Sequence, residues 1–231
     1  MCGRYTLAAP DPAAVRARFA LEETVEVRPR YNIAPGDEVL AVTTGRDGRH
    51  RGEHLRWGLV PPWAKSPDTG LKMINARLET VTERPAFRAG FERYRCLIPA
   101  DGFYEWQTSG TGRKQPFHIT RTDGALFAFA GLWSIWHGPH GGMLRTCTIL
   151  TRAANAAVAP LHDRMPVILE AQDEADWLDI GTPPDRLREV LAGLPAAETA
   201  LTEVGLAVND AHHDGPECLA PPLPDPQGSL F

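Results

Sequence analysis

Short apolar runs broken by Gly- and Pro-bearing turns set the pattern along most of the chain, and helical spacing is confined to brief stretches. Val39–Thr43 and His54–Trp57 predict two strands joined around Asp47-Gly48, a dipeptide suited to a hairpin turn. Further strands are predicted at Phe103–Gln107, Pro116–Thr120, Leu126–Trp136 and Leu144–Thr151. Asp11 followed by Pro12 reads as a helix start, cap then first helical position, for a helix running to about Phe19. Other helices are predicted at Ala153–Ala159, Asp173–Asp179 and Pro184–Ala192, and a short strand near Leu206-Ala207-Val208. No repeat or low-complexity block interrupts this order. The prediction is an α+β fold: a single domain over residues 2–215 with a strand-dominated, barrel-like core and peripheral helices. Residues 216–231 read as a Pro-rich tail, expected to be partly disordered.

Composition narrows the class of protein. With 231 residues the chain can bury a sizeable core without staples, and 43% hydrophobic with 23% charged residues is ordinary globular usage. No apolar run approaches a membrane span, and Met1-Cys2-Gly3-Arg4-Tyr5 lacks the pattern of a secretory signal, so a cytoplasmic protein is expected. Cys2, Cys96, Cys147 and Cys218 form no C-x-x-C pair, which argues against a zinc ribbon, and a reducing compartment argues against disulfides. Cys96 and Cys147 sit among apolar neighbours and read as inert strand residues. His212-His213-Asp214 lacks partner ligands at metal-binding spacing, and neither a metal nor a cofactor is expected. The net charge of -5 speaks against a nucleic-acid partner until its distribution is considered. Residues 1–170 carry 22 Lys and Arg against 17 Asp and Glu, net +5; residues 171–231 carry 2 against 12, net -10. Phosphate binding depends on the local field, so a basic face can coexist with an acidic tail region, although charge alone favours two ordinary solvated surfaces.

Cys2 stands apart because of its position. Removal of Met1, expected because the next side chain is small, would leave an α-amine and a thiol on adjacent carbons. Their ordinary pKa values, about 7.7–8.0 and about 8.5, give each a usable nucleophilic fraction at neutral pH. Toward an aldehyde, such a pair condenses through the amine and closes through sulfur into a five-membered thiazolidine, an intramolecular step favoured by high effective molarity. Gly3 permits close backbone approach. A Cys-Gly terminus is also how amino-terminal nucleophile amidohydrolases, including glutamine amidotransferase domains, begin.

Six ordered blocks carry a resemblance. They are Cys2-Gly3-Arg4-Tyr5, Tyr31-Asn32-Ile33-Ala34-Pro35-Gly36, Arg56-Trp57-Gly58-Leu59-Val60-Pro61, Ile74-Asn75-Ala76-Arg77-Leu78-Glu79-Thr80, the run Arg95 to Trp106, and Leu161-His162-Asp163-Arg164-Met165-Pro166. Together they resemble the SOS-response-associated peptidase (SRAP) family, whose members include abasic-site crosslinkers, over residues 2 to about 210. The amidotransferase reading shares only the first two residues. The resemblance implies Cys2 as the crosslinking nucleophile, Asn75 as a residue orienting it or a bound oxygen, Glu105 as general acid/base, and His162 as the fourth active-site member. It implies Arg4, Arg77 and Arg164 as phosphate contacts, and Pro35 and Trp63 as groups packing against flanking bases. The implied partner is single-stranded DNA containing abasic sites, met by a monomer that associates with the nucleoid when bound, with lyase and autopeptidase-type side activities. One block departs: Val208-Asn209-Asp210-Ala211-His212-His213-Asp214 matches the family's Asn- and Val-rich stretch only at Val208-Asn209.

The residues themselves fit these roles without demanding them. In a strand, Phe103, Glu105 and Gln107 point one way and Tyr104 and Trp106 the other. A carboxylate amid these aromatics is expected to be partly desolvated, with a raised pKa suited to proton transfer. Read alone, Glu105 is equally a solvent-facing strand residue, Asn75 a turn cap, His162 a loop hydrogen-bonder, and Trp63 core. Two further functions stay open: a thiol peptidase that removes its own leader, and a non-covalent module binding single strands through the arginines and Trp63.

Overall fold

A computed structural model describes residues 2–108, 114–139 and 141–223. The first half of the chain forms β1 (Tyr5–Leu7), α1 (Pro12–Arg18), β2 (Arg30–Ile33), β3 (Glu38–Thr44), β4 (His50–Trp57), β5 (Asn75–Arg77) and α2 (Pro85–Arg93). Next come β6 (Arg95–Ala100), β7 (Gly102–Thr108), β8 (Lys114–Arg121), β9 (Phe127–His137) and β10 (Met143–Ala153). The chain then adds β11 (Arg164–Pro166), β12 (Ile168–Leu169), α3 (Glu174–Leu178), α4 (Pro184–Val190) and β13 (Thr199–Glu203).

Five strands close into a barrel in the order β4-β3-β6-β9-β10, because β10 pairs with β9 on one side and with β4 on the other. Every pairing in the ring is antiparallel except β4 with β10, which run parallel with Thr146 opposite Arg56. β9 carries the closure: its first six residues, Phe127 to Leu132, are all buried, as a strand covered on both faces requires. Gly131 permits that packing, since a Cβ there would meet the Cys96 sulfur at 2.9 Å.

A second, antiparallel sheet in the order β13-β8-β7-β1-β2 lies against the barrel. Tyr5 joins the two layers, edge-on to Trp57 at 5.4 Å and to Phe129 at 5.5 Å, while Phe103 packs on Phe129 at 6.3 Å. On the outer face of this sheet Tyr104, Val204, Val208 and Cys218 form a small separate cluster.

The predicted α+β class with a barrel-like core is what the chain forms, and the hairpin around Asp47-Gly48 and the Asp11 cap are present. Two predicted elements differ. Residues 153–159 form no helix: β10 runs on to Ala153, and the Asn155 side chain then accepts from the amides of Ala157 and Val158, tying a turn. Leu206–Asn209 is a 3-10 turn rather than a strand, because β13 already occupies the sheet edge beside β8 and Val208 turns inward to Tyr104. Of the expected tail, Pro216–Leu219 is a 3-10 turn with Cys218 buried, and residues 224–231 lie outside the described residues.

Candidate active site

The segment Cys2–Arg4 runs into β1, and the Tyr104 amide donates to the Arg4 carbonyl at 3.0 Å, so this segment lies alongside β7. Cys2 is completely buried, its thiol donating to the Arg4 carbonyl at 3.8 Å. Asn75, first residue of β5, comes from the barrel side, where β5 pairs in parallel with β10. Its Nδ2 donates to the Cys2 carbonyl at 2.8 Å. Its Oδ1 is buried and accepts nothing from the described residues, which leaves a polar atom that burial makes costly to leave unpartnered.

Glu105 sits on β7 with 3% exposure. Strand alternation sends Phe103 into the main core and Tyr104 to the outer cluster, and Glu105 follows Phe103 inward. Burial lifts its pKa from 4.5 to about 7, against the pull of the positive amino terminus. That same terminal charge acts on the Cys2 thiol and lowers the pKa of half-buried His162, whose largest shift again comes from burial. The His162 Nδ1 accepts from the Arg164 amide at 2.9 Å, which puts the imidazole proton on Nε2. The 2.9 Å approach of Asp163 to the same Nδ1 is therefore an ion pair only if the ring gains a second proton; the backbone contact, fixed by the turn, governs the neutral ring.

The thiol differs from the sequence expectation. Burial first, and the Glu105 carboxylate second, push the Cys2 thiol well above its ordinary value, so the chain bearing Met1 holds a protonated, shielded sulfur.

The three arginines singled out from the sequence are held differently. Arg77 is exposed at the end of β5 opposite Thr151, and Arg164 begins β11 on the other side of β10. Arg164 makes a two-pronged pair with Glu79 at 2.6 and 2.8 Å and also donates to the Thr151 carbonyl at 2.7 Å. Arg4 donates from Nη1 to Asn32 and to the Val208 carbonyl. Trp63 is 63% exposed on the loop after β4 and lines a cavity of about 440 Å³ with Asn75, Arg77 and Arg84. Pro35 is half-buried in the turn between β2 and β3 and does not line that cavity. Asn32 and Glu79, which hold Arg4 and Arg164, have no role assigned from the sequence although both lie inside the quoted blocks; nothing in their spacing marks them as partners of arginines so distant along the chain. Among the described residues no group of three or more His, Cys, Asp or Glu could hold a metal ion, and no helix is long and apolar enough to cross a membrane.

Comparison with known proteins bears on this geometry. The family model described as SOS response associated peptidase (SRAP) matches residues 1–211. The abasic site processing protein YoqW of Bacillus subtilis is 40% identical over 223 residues, covering 95% of this chain and 99% of its own. The abasic site processing protein HMCES of Xenopus tropicalis is 35% identical over 192 residues, 72% of this chain and 56% of the longer relative. A crystal structure of a protein from Bacteroides thetaiotaomicron superposes with a TM-score of 0.84 over 96% of this chain and 100% of that one; at 22% identity the likeness concerns the fold.

Proposed function

The chain belongs to the SOS response associated peptidase family, and from that premise we propose that it captures abasic sites in single-stranded DNA covalently through Cys2 after loss of Met1. The observation that carries this reading is the buried Glu105 carboxyl, with its pKa lifted to about 7, beside a Cys2 peptide held by Asn75. A carboxyl poised near neutrality donates a proton to the ring oxygen of the abasic sugar as the C1–O bond breaks, and the carboxylate so formed takes up the C1 hydroxyl proton, leaving the open-chain aldehyde. The Cys2 amine then adds to the aldehyde carbon and water leaves, giving an imine. The thiol adds across the C=N bond: sulfur bonds to carbon, and the thiol proton passes to nitrogen, closing the thiazolidine. Asn75 steadies the Cys2 carbonyl during both additions. Its buried Oδ1 suits a sugar hydroxyl or the departing water. Arg4, Arg77 and Arg164 supply phosphate contacts and Trp63 a stacking face.

Met1 gates this chemistry because its loss frees the Cys2 amine that the first addition needs; the thiol itself is sealed by burial and by Glu105. The test mixes purified protein with an oligonucleotide bearing one abasic site and looks for a denaturation-resistant adduct. Wild type forms it; Cys2→Ala and a form retaining Met1 do not. An undiminished adduct with Cys2→Ala sinks the proposal.

The peptidase reading draws on one observation, the amino-terminal charge acting on Glu105 and His162. It predicts that wild type sheds Met1 in cells lacking methionine aminopeptidase while Cys2→Ser keeps it, as intact mass would reveal.

A further inference from the structure

The segment 206–214, whose sequence departs from the family pattern after Asn209, is fastened to β2, to β7 and to Arg4 just before β1. Asn32 is the hub: 1% exposed on β2, it donates from Nδ2 to the carbonyls of Val208 at 3.3 Å, Asp210 at 2.8 Å and His213 at 2.7 Å. Its Oδ1 accepts from Arg4 Nη1 at 2.9 Å, and the same Nη1 donates to the Val208 carbonyl at 2.7 Å. Asp214 closes the far end, accepting at Oδ1 from the amides of Tyr31 at 2.6 Å and Asn32 at 2.8 Å, and at Oδ2 from Arg30 Nε. On the other side Trp106 Nε1, next to Glu105, donates to the Asn209 side chain at 2.7 Å.

The consequence falls on Arg4. A long arginine side chain has many rotamers, and ordering it on binding costs affinity. Here one nitrogen of the fork is anchored twice. Nε and Nη2 donate to none of the described residues and remain for a ligand. We infer that Asn32 and Asp214 are positioning residues which, through the strap 206–214, preset Arg4 for a phosphate of the bound strand. This rests on the DNA reading above and deepens it: the strap acts on strand affinity and leaves the covalent step to Cys2 and Glu105.

The experiment uses Cys2→Ala as the parent, so that binding stays non-covalent, and a single-stranded oligonucleotide carrying a tetrahydrofuran abasic analogue. Asn32→Ala and Arg4→Ala are each expected to weaken binding about tenfold. The double variant should bind no more weakly than Arg4→Ala alone, because the two act through one contact. Asp214→Ala, made in the half-exposed strap, should show the same dependence on Arg4. Each strap variant should flatten the dependence of log affinity on log salt by about 0.7, the loss of one phosphate contact on a single strand. Losses that multiply in the double variants overturn the inference, as does unfolding of both strap variants in near-ultraviolet circular dichroism. A parent that fails to bind the strand at low salt removes the DNA reading and this inference with it; a parent that binds, with multiplying losses, removes the inference alone.

Discussion

At the scale of single residues, the site is governed by desolvation. Glu105 and Cys2 are both stripped of water, and burial acts on them in the same direction: it keeps the carboxyl protonated near neutrality and keeps the thiol from ionising. An unfolded Glu105 titrates near 4.5, and the folded one near 7. The folded state thus binds the proton more tightly, a stabilisation fully present below pH 4.5 and lost as pH rises through 7. In Glu105→Gln that dependence disappears. The melting midpoint of wild type should therefore fall relative to the variant between about pH 5 and pH 8; a constant gap would contradict the raised pKa. In the crosslinking assay, Glu105→Gln should react about a hundredfold more slowly and lose the decline that wild type shows as pH passes about 7. Single-turnover rates across that range measure both effects.

At the scale of elements, close backbone approaches decide where the site's loops go. Gly58, at φ +126°, and Gly70 touch at the base of the loop that presents Trp63: a Cβ on Gly70 would lie 2.3 Å from the Gly58 carbonyl oxygen. Neither partner is a flexible side-chain end, so the backbone must shift. Gly70→Ala is expected to cost about 1–3 kcal/mol in denaturant unfolding. It should also weaken strand binding by displacing Trp63 from the cavity it shares with Arg77. Unchanged affinity in the Gly70→Ala variant would show that Trp63 takes no part in binding. The turn after β10 works similarly: Asn155 ties it, and His162 and Arg164 follow at defined distances from the strand.

At the scale of the molecule, the barrel and the second sheet share one core. Tyr5, Trp57, Phe103 and Phe129 interlock across the two layers, and β1, which follows Cys2, and β7, which bears Glu105, form part of that contact. Phe129→Ala is expected to cost about 3–5 kcal/mol. Unfolding should remain one transition whether followed by tryptophan fluorescence or by competence to form adduct. Separate midpoints for the two probes would show that sheet and barrel unfold independently.

How much of this is legible in the sequence follows from the range of each interaction. The Asp11 cap, the Asp47-Gly48 hairpin and the long strands β9 and β10 are local: turn chemistry and apolar runs specify them within a few residues. β1, β5 and β11, three residues each, escape prediction, because such short strands exist only through their partners. Cys2, Asn75, Glu105 and His162 are identified from ordered blocks, since residue types alone leave each with an ordinary alternative. Only the tertiary structure decided that the Cys2 thiol is sealed, that Arg164 is paired with Glu79, and that Asn32 holds Arg4 while Asp214 holds the Asn32 backbone. Those facts depend on burial and on contacts between residues up to 204 positions apart, and no pattern along a chain encodes which distant carbonyl will lie beside a given guanidinium.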